Sequence, residues 1–254
     1  MRLQPLPALS DNYIWTLADA DGRALLVDPG EAAPVLAAAG QGLRPVGILL
    51  THHHHDHIGG VPALLERWPG LPVLAPADPR IDVATDTLGD GDRATLAGWS
   101  FEVLAVPGHT SSHIAFHGHG ALFCGDTLFS LGCGRMFEGS AAQMLGSLDR
   151  LATLPGDTRV CCGHEYTLAN AAFARVADPG NPALLRRHEE VRRMRQHGQP
   201  TLPSTLSDEL ACNPFLRVDA PGVRATLRER DPGLAPDRVA AFAALRQWKD
   251  GFRA

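Results

Sequence analysis

Residues 51–60 read THHHHDHIGG, and the phasing of those four histidines decides the fold. An affinity tag sits at a chain end, whereas this run lies well inside the chain, between the apolar stretch LRPVGILL and two glycines. The apolar stretch reads as a buried strand ending at Thr51. In extended chain, side chains at i and i+2 share a face, so His52 and His54 point one way and His53 and His55 the other. A turn at Asp56 into a helix beginning IGGVPALLERW would bring Asp56 and His57 back over the same mouth. The pattern is therefore HxHxDH, two interleaved sets of donors. Imidazole and carboxylate suit Zn²⁺, Mn²⁺ or iron, and two histidines with one further ligand leave a coordination position for water.

One loop does not make a catalytic centre, so further donors are needed at strand ends. Three are present: His109 in VLAVPGHTSSH, Asp126 in ALFCGDTLF and His164 in RVCCGHEYT. Each follows a glycine directly after an apolar run, where a strand emerges into a loop and where sites are commonly built. With HxHxDH they make seven candidate ligands. That is enough for two metals with three protein donors each and Asp126 between them.

The remaining composition sets bounds. A chain of 254 residues, 44% hydrophobic and 20% charged, is an ordinary soluble globular protein, large enough for a medium domain plus a small one. A formal charge of -5 gives no basic field, so no nucleic acid is expected as a partner. The start, MRLQPLPALSDNY, lacks the pattern of a signal peptide, and no apolar stretch approaches membrane-spanning length; the expected location is cytoplasmic, with no membrane contact. Cys124, Cys133, Cys161, Cys162 and Cys212 are odd in number and form no CxxC pair, which fits reduced thiols.

Along the chain, NYIWTLAD, RALLVDPG, PVGILLTH, PVLAP, FEVLAVPGH, HIAFHGHGALFCGD and TRVCCGHE are strand-length apolar runs bounded by Gly, Pro and Asp, with helical patterns such as SAAQMLGSLDRLATL between some of them. This is a mixed α/β pattern. Beyond about residue 165 the strands stop, and three helical stretches dominate: EYTLANAAFARVAD, PALLRRHEEVRRMRQHG and PDRVAAFAALRQWKDG. The expected division is 1–172 for a catalytic domain and 173–254 for a helical one.

THHHHDH, PGHT, CGDTLF and CGHEYT, in this order, resemble the metallo-β-lactamase superfamily over roughly residues 10–170. The resemblance implies an α/β fold, the four-layer αββα sandwich, with a small all-helical C-terminal domain and a dinuclear site at one edge. It implies His52, His54 and His109 on the first metal, Asp56, His57 and His164 on the second, and Asp126 shared. Zinc is the first expectation for both divalent ions, with iron or manganese accepted by the same ligands.

The segments SLGCGRMFEG, GHEYT, LPSTLSDELACNPFLR and LRQWKD resemble glyoxalase II, the hydroxyacylglutathione hydrolases. That resemblance implies a C-terminal domain that covers the site and holds glutathione. Arg135, Arg246 and Lys249 match the family's carboxylate-binding cations, and Tyr166 matches its tyrosine. Arg246 and Lys249 are three apart in a helical pattern, so one carboxylate can meet both; the same spacing also suits cations at a helix end. Where the family commonly has Lys and Tyr, this chain has Arg135 and Phe137. Arginine still pairs with a carboxylate, but phenylalanine donates no hydrogen bond, a difference of about 0.5–1.5 kcal/mol.

The function implied is hydrolysis of S-D-lactoylglutathione, a small-molecule substrate, to D-lactate and glutathione, the second step of methylglyoxal detoxification. A hydroxide held between the two metals would attack the thioester, with Asp56 orienting it and Asp126 bridging. A monomer is expected. Two alternatives remain: a glutathione persulfide dioxygenase of the same superfamily, and a non-catalytic metal- or nucleic-acid-binding module using the arginines between Arg186 and Arg195. Glu189 and Glu190 on that stretch favour an ordinary solvated face. His113, His117 and His119 are assigned to a hairpin around HGHG, His188 and His197 to solvent, and Cys124 to a buried strand. Asp28, in LLVDPG, fits a turn or helix-capping residue and a support near the metals about equally.

Overall fold

The computed structural model describes residues 1–253. In chain order the elements are β1 (Arg2–Ala8), β2 (Asn12–Ala18), β3 (Arg23–Val27), α1 (Ala33–Gly40), β4 (Arg44–Leu49), α2 (His55–Ile58), α3 (Val61–Arg67), β5 (Val73–Pro76), β6 (Asp86–Leu88), β7 (Arg93–Leu96), β8 (Trp99–Ala105), β9 (Ile114–Gly118) and β10 (Ala121–Gly125). Then come β11 (Leu128–Phe129), β12 (Gly132–Cys133), α4 (Ala141–Leu151), β13 (Arg159–Cys162), α5 (Thr167–Ala177), α6 (Pro182–Gln196), β14 (Ser204–Thr205), α7 (Leu206–Cys212), α8 (Pro221–Arg230) and α9 (Arg238–Gly251). The chain divides into two compact units, one made of Met1–Ala105, Ser112–Gly125 and Cys161–His164, the other of Val106–Ser111, Asp126–Val160 and Glu165–Ala254.

In the first unit, one sheet has the order β1-β2-β3-β4-β5-β6. Its β1–β2–β3 part is antiparallel, and β3 to β6 run parallel. β1 carries two prolines, which an edge strand tolerates because its outer N–H groups need no ladder partner. One face, with Ile14, Leu26, Ile48 and Val73, packs on Val35 of α1 and on Val61 and Leu64 of α3. From the other face Trp15 donates its indole N–H to the Cys162 carbonyl at 2.9 Å. Each large aliphatic side chain sealed in this way contributes about 1.5–3 kcal/mol.

The second sheet has the order β14-β13-β10-β9-β8-β7, and its β7 to β10 part is an antiparallel meander. The parallel pairing in the first sheet matters most for the site. With Val27 opposite Leu49, the loops leaving β3 and β4 emerge side by side, and the Asp28 N–H donates to the Leu49 carbonyl at 3.0 Å.

In the second unit the helices start where the sequence supplies caps: Ser140 with Gln143 in a capping box, Asn181, Thr205 and Asp237. Leu131, Ala171, Ala174, Leu184 and Cys212 form a buried cluster; Phe173 stacks on Phe215, which meets Phe242 edge-on. Beyond residue 165 there are five helices rather than three, plus the short strand β14. The seven-residue α7 is too short to show a helical period, and in α8 arginines interrupt the apolar pattern. The expected junction at residue 172 falls inside α5. All five cysteines are buried. Among the described residues no helix is long and apolar enough to cross a membrane.

Candidate metal centre

The first unit gathers the histidine-run donors around Asp28. Asp28 follows β3 in the left-handed region, at φ 51°, which Asp adopts more readily than most residues. Its Oδ1 accepts from the Thr51 N–H at 2.8 Å and its Oδ2 from the Thr51 hydroxyl at 2.7 Å. That hydroxyl, already donating, accepts from His52 Nδ1 at 3.0 Å. The same Oδ2 lies 3.0 Å from His57 Nδ1. Besides its place in the turn, Asp28 thus contacts both Thr51 and His57.

Asp56 and His57 lie on α2, which begins at His55 and has His54 as its N-cap. The helix expected to begin at Ile58 therefore starts earlier, and Gly59 and Gly60 separate it from α3. Glycine is required at Gly30, where a Cβ would stand 1.9 Å from the Asp56 carbonyl oxygen, so the DPG turn lies directly on the ligand helix. Asn12 donates its side-chain amide to Asp56 Oδ2 at 3.0 Å, and Asp11 Oδ1 lies 2.8 Å from His164 Nδ1. The outcome is a cluster in which one donor atom each from Asp56, His57 and His164 lie within 4.8 Å of one another. His57 Nε2 and His164 Nε2 stand 3.6 and 3.3 Å from Asp56 Oδ2.

The run is not strand throughout: β4 ends at Leu49 and α2 begins at His55. The His52 and His54 centroids are 4.7 Å apart and those of His53 and His54 4.8 Å, but His53 Nδ1 lies 3.6 Å from Asp78 Oδ2, and His55 is exposed on the helix. Hydrogen bonds from Arg80 and Ser112 hold the Asp78 carboxyl well below the usual carboxylate range. His117 and His119 lie at the β9–β10 hairpin as expected. His113 does not serve that hairpin: it is buried and stacks on His52 at 4.6 Å, which backs the ring of an expected ligand.

The second unit holds the other two expected ligands. His109 Nε2 lies 3.4 Å from Asp126 Oδ2, and His109 Nδ1 donates to the Arg135 carbonyl at 2.8 Å. The Phe137 ring, 63% exposed, lies 5.2 Å from that of His109, and Tyr166, also exposed, lies 5.3 Å from Phe129. Arg135 Nε is 3.4 Å from Asp250 Oδ1. Arg246 is 3% exposed; its Nη1 donates to the Cys133 carbonyl at 2.7 Å and its Nη2 lies 3.0 Å from Asp250 Oδ1. Burial, with Arg246 and Arg135 nearby, pushes Lys249 below the ordinary lysine range. Three cations therefore gather about the single Asp250 carboxylate.

The donor chemistry fits divalent metals. For four of the five expected imidazoles the Nδ1 faces a protein oxygen: Thr51 for His52, Asp28 for His57, Arg135 for His109 and Asp11 for His164. That arrangement fixes the tautomer and leaves Nε2 for coordination. Sequence reasoning missed Asp11, in the turn between β1 and β2, and Asn12, the first residue of β2, which carry no metal-ligand spacing. Asp28 ends an apolar run as the other donors do, and that signal marks it.

Comparison with known proteins agrees with this geometry. Residues 13–164 match the model of the metallo-beta-lactamase superfamily, and residues 165–252 match that of the hydroxyacylglutathione hydrolase C-terminus. Two solved structures share the fold. ETHE1 from Myxococcus xanthus has a TM-score of 0.65 at 26% identity, over 97% of this chain and 98% of that one. TTHA1623 in a di-iron-bound form has a TM-score of 0.55 at 32% identity, over 63% of this chain and 91% of that one. The molecule is thus an α/β metallo-β-lactamase-fold protein with a helical C-terminal region, and its His and Asp clusters fit a dinuclear site. The hydroxyacylglutathione hydrolase of Xanthomonas euvesicatoria pv. vesicatoria (strain 85-10) is 61% identical over the full length of both chains. The chain belongs to the hydroxyacylglutathione hydrolase family, metal-dependent hydrolases of this superfamily.

Proposed function

We propose that the chain hydrolyses the thioester of S-D-lactoylglutathione and related S-2-hydroxyacylglutathiones, giving the 2-hydroxy acid and glutathione. The observation that carries this reading is the pairing of the donor clusters with a C-terminal region of hydroxyacylglutathione hydrolase type over residues 165–252. That region also disfavours a persulfide dioxygenase and a non-catalytic module. The two ligand sets are His52, His54 and His109, and Asp56, His57 and His164, with Asp126 common to both. Zinc is the first choice, with iron or manganese acceptable to the same donors. The enzyme acts as a monomer in the cytoplasm.

When bound, the two ions supply a water acidic enough to be hydroxide near neutral pH and a Lewis acid for the thioester carbonyl. The chain does the rest. Asn12 holds Asp56 Oδ2 so that the carboxylate faces His57 and His164 and can orient the attacking oxygen. The leaving group is a thiol of ordinary pKa about 8.5, so no side chain is needed as general acid. Arg135, Arg246 and Lys249 form the cationic end for a glutathione carboxylate, with Arg246 acting from behind its bond to Cys133. Tyr166 offers a hydroxyl to the peptide part of the substrate, and Phe137 packs on it without donating.

Steady-state hydrolysis of S-D-lactoylglutathione, with metal quantified on the same sample, tests this. Chelator-sensitive turnover with close to two metals per chain is expected. No turnover in a metal-replete sample would overturn it.

A further inference from the structure

The segment between Asp126 and Arg135 is a hairpin of two two-residue strands, Leu128–Phe129 and Gly132–Cys133, extended by the Gly134 N–H donating to the Thr127 carbonyl at 3.2 Å. A ladder this short does not hold its own shape in water. Its turn contains Leu131 at φ 59°, a left-handed conformation that strains a non-glycine residue. Yet the open end of the hairpin meets the expected ligands. Gly134 lies so close to Asp126 that a Cβ there would stand 1.9 Å from the Asp126 carbonyl oxygen. Beside it, the Arg135 carbonyl receives His109 Nδ1.

What holds the turn is a set of buried polar side chains from α5, α7 and α9. Asn213 donates its amide to the carbonyls of Phe129 at 3.0 Å and Gly132 at 2.9 Å. Asn170 donates to the Ser130 carbonyl at 3.1 Å, and Arg246 to that of Cys133 at 2.7 Å. Glu209 Oε2 accepts from the Leu131 N–H at 2.8 Å. Four side chains thus hold one backbone group on each of five consecutive residues. Glu209 and Asn213 are fully buried, and burial pushes the Glu209 carboxyl above its ordinary range. An apolar residue would fill that space at lower cost, so the carboxyl's contribution is its bond to the turn.

We propose that Glu209 and Asn213 are positioning residues for Asp126 and His109: by fixing the 128–133 hairpin they place one ligand directly and orient the other through the Arg135 carbonyl. This rests on the ligand reading proposed above. The helical C-terminal region would then set metal affinity as well as substrate binding.

The test uses the full-length protein. Metal retention is measured by competition with a chelator for wild type, Asn213→Ala, Glu209→Ala and Glu209→Gln, with Val191→Ala as a control that loosens a buried contact of α6 elsewhere in the same unit. Metal retention should weaken about 10-fold or more in the two alanine variants, as for other outer-shell supports. Glu209→Gln, which keeps an acceptor for Leu131, and Val191→Ala should stay near wild type. Wild-type retention in both alanine variants, or an equal loss in Val191→Ala, overturns the proposal.

A second measurement needs no variant. In metal-free wild type the Leu131 and Gly134 amides should already exchange slowly. Rapid exchange that slows only on adding metal would show the ions, not Glu209 and Asn213, organising the hairpin. A wild type that never retains two metals removes the ligand reading itself, before any variant is compared.

Discussion

Asp28 Oδ2 and His57 Nδ1 meet at 3.0 Å with both side chains buried, and the same carboxylate oxygen takes the Thr51 hydroxyl that faces His52. One carboxylate thereby fixes the direction of two imidazoles assigned to different metals. Asp28→Asn keeps the size and tolerates the left-handed backbone, but it cannot present two acceptor oxygens. Metal retention should fall by about 10–100-fold while Tm changes little. Unchanged chelator resistance would reduce Asp28 to a turn residue.

His52→Ala and Asp126→Ala each remove a proposed ligand. Turnover should fall below detection, and bound metal, measured by elemental analysis, should drop below two per chain. Full activity in either variant would sink the dinuclear assignment.

Lys249 separates stability from binding. Its folded pKa is depressed by burial first and by neighbouring cations second. A lysine depressed on folding contributes stability that is present above its unfolded pKa and lost as pH falls through the folded value. At neutral pH the charged form is therefore a cost, and Lys249→Met should raise Tm by a few degrees. The same variant should raise KM for a glutathione thioester by about 10-fold, one charged hydrogen bond, and leave a simple thioester unaffected. In wild type, KM should climb on the alkaline side before the ordinary lysine range is reached; Lys249→Arg should abolish that climb. An equal effect on both thioesters would remove Lys249 from glutathione binding.

Phe137→Tyr restores the hydroxyl that the resemblance leads one to expect. The ring is exposed beside His109, so the added group meets no packed neighbour from the core. KM for S-D-lactoylglutathione should fall by about 2- to 10-fold. No change in KM would show that this position does not touch the tripeptide.

The expected donors were legible because each stands where an apolar run ends; His55 is set apart from them by the start of α2 rather than by strand alternation. Most of the strands were legible for the same reason. What was hidden depends on pairing between distant segments. Nothing local in SDNY says that Asp11 and Asn12 arrive beside His164 and Asp56; the antiparallel bridge between Asn12 and His164 does that. Nor does helical spacing disclose that Arg246 is sealed against Cys133 and Asp250 rather than held out to solvent. α7 escaped notice because it is short, although Thr205 with Asp208 three residues later is a start signal that could have marked it.

Four identical donors in a row carry a kinetic consequence. A chain slipped by one residue would offer His53 and His55 in place of His52 and His54, with chemistry that an ion cannot distinguish. The contacts of Thr51 with Asp28, the His113 ring stacked on His52 and the start of α2 after His54 give the run its frame. Folding in the presence of excess metal would then capture out-of-frame complexes that must release their ion before maturing. The apoprotein, folded first and loaded afterwards, should reach full activity faster.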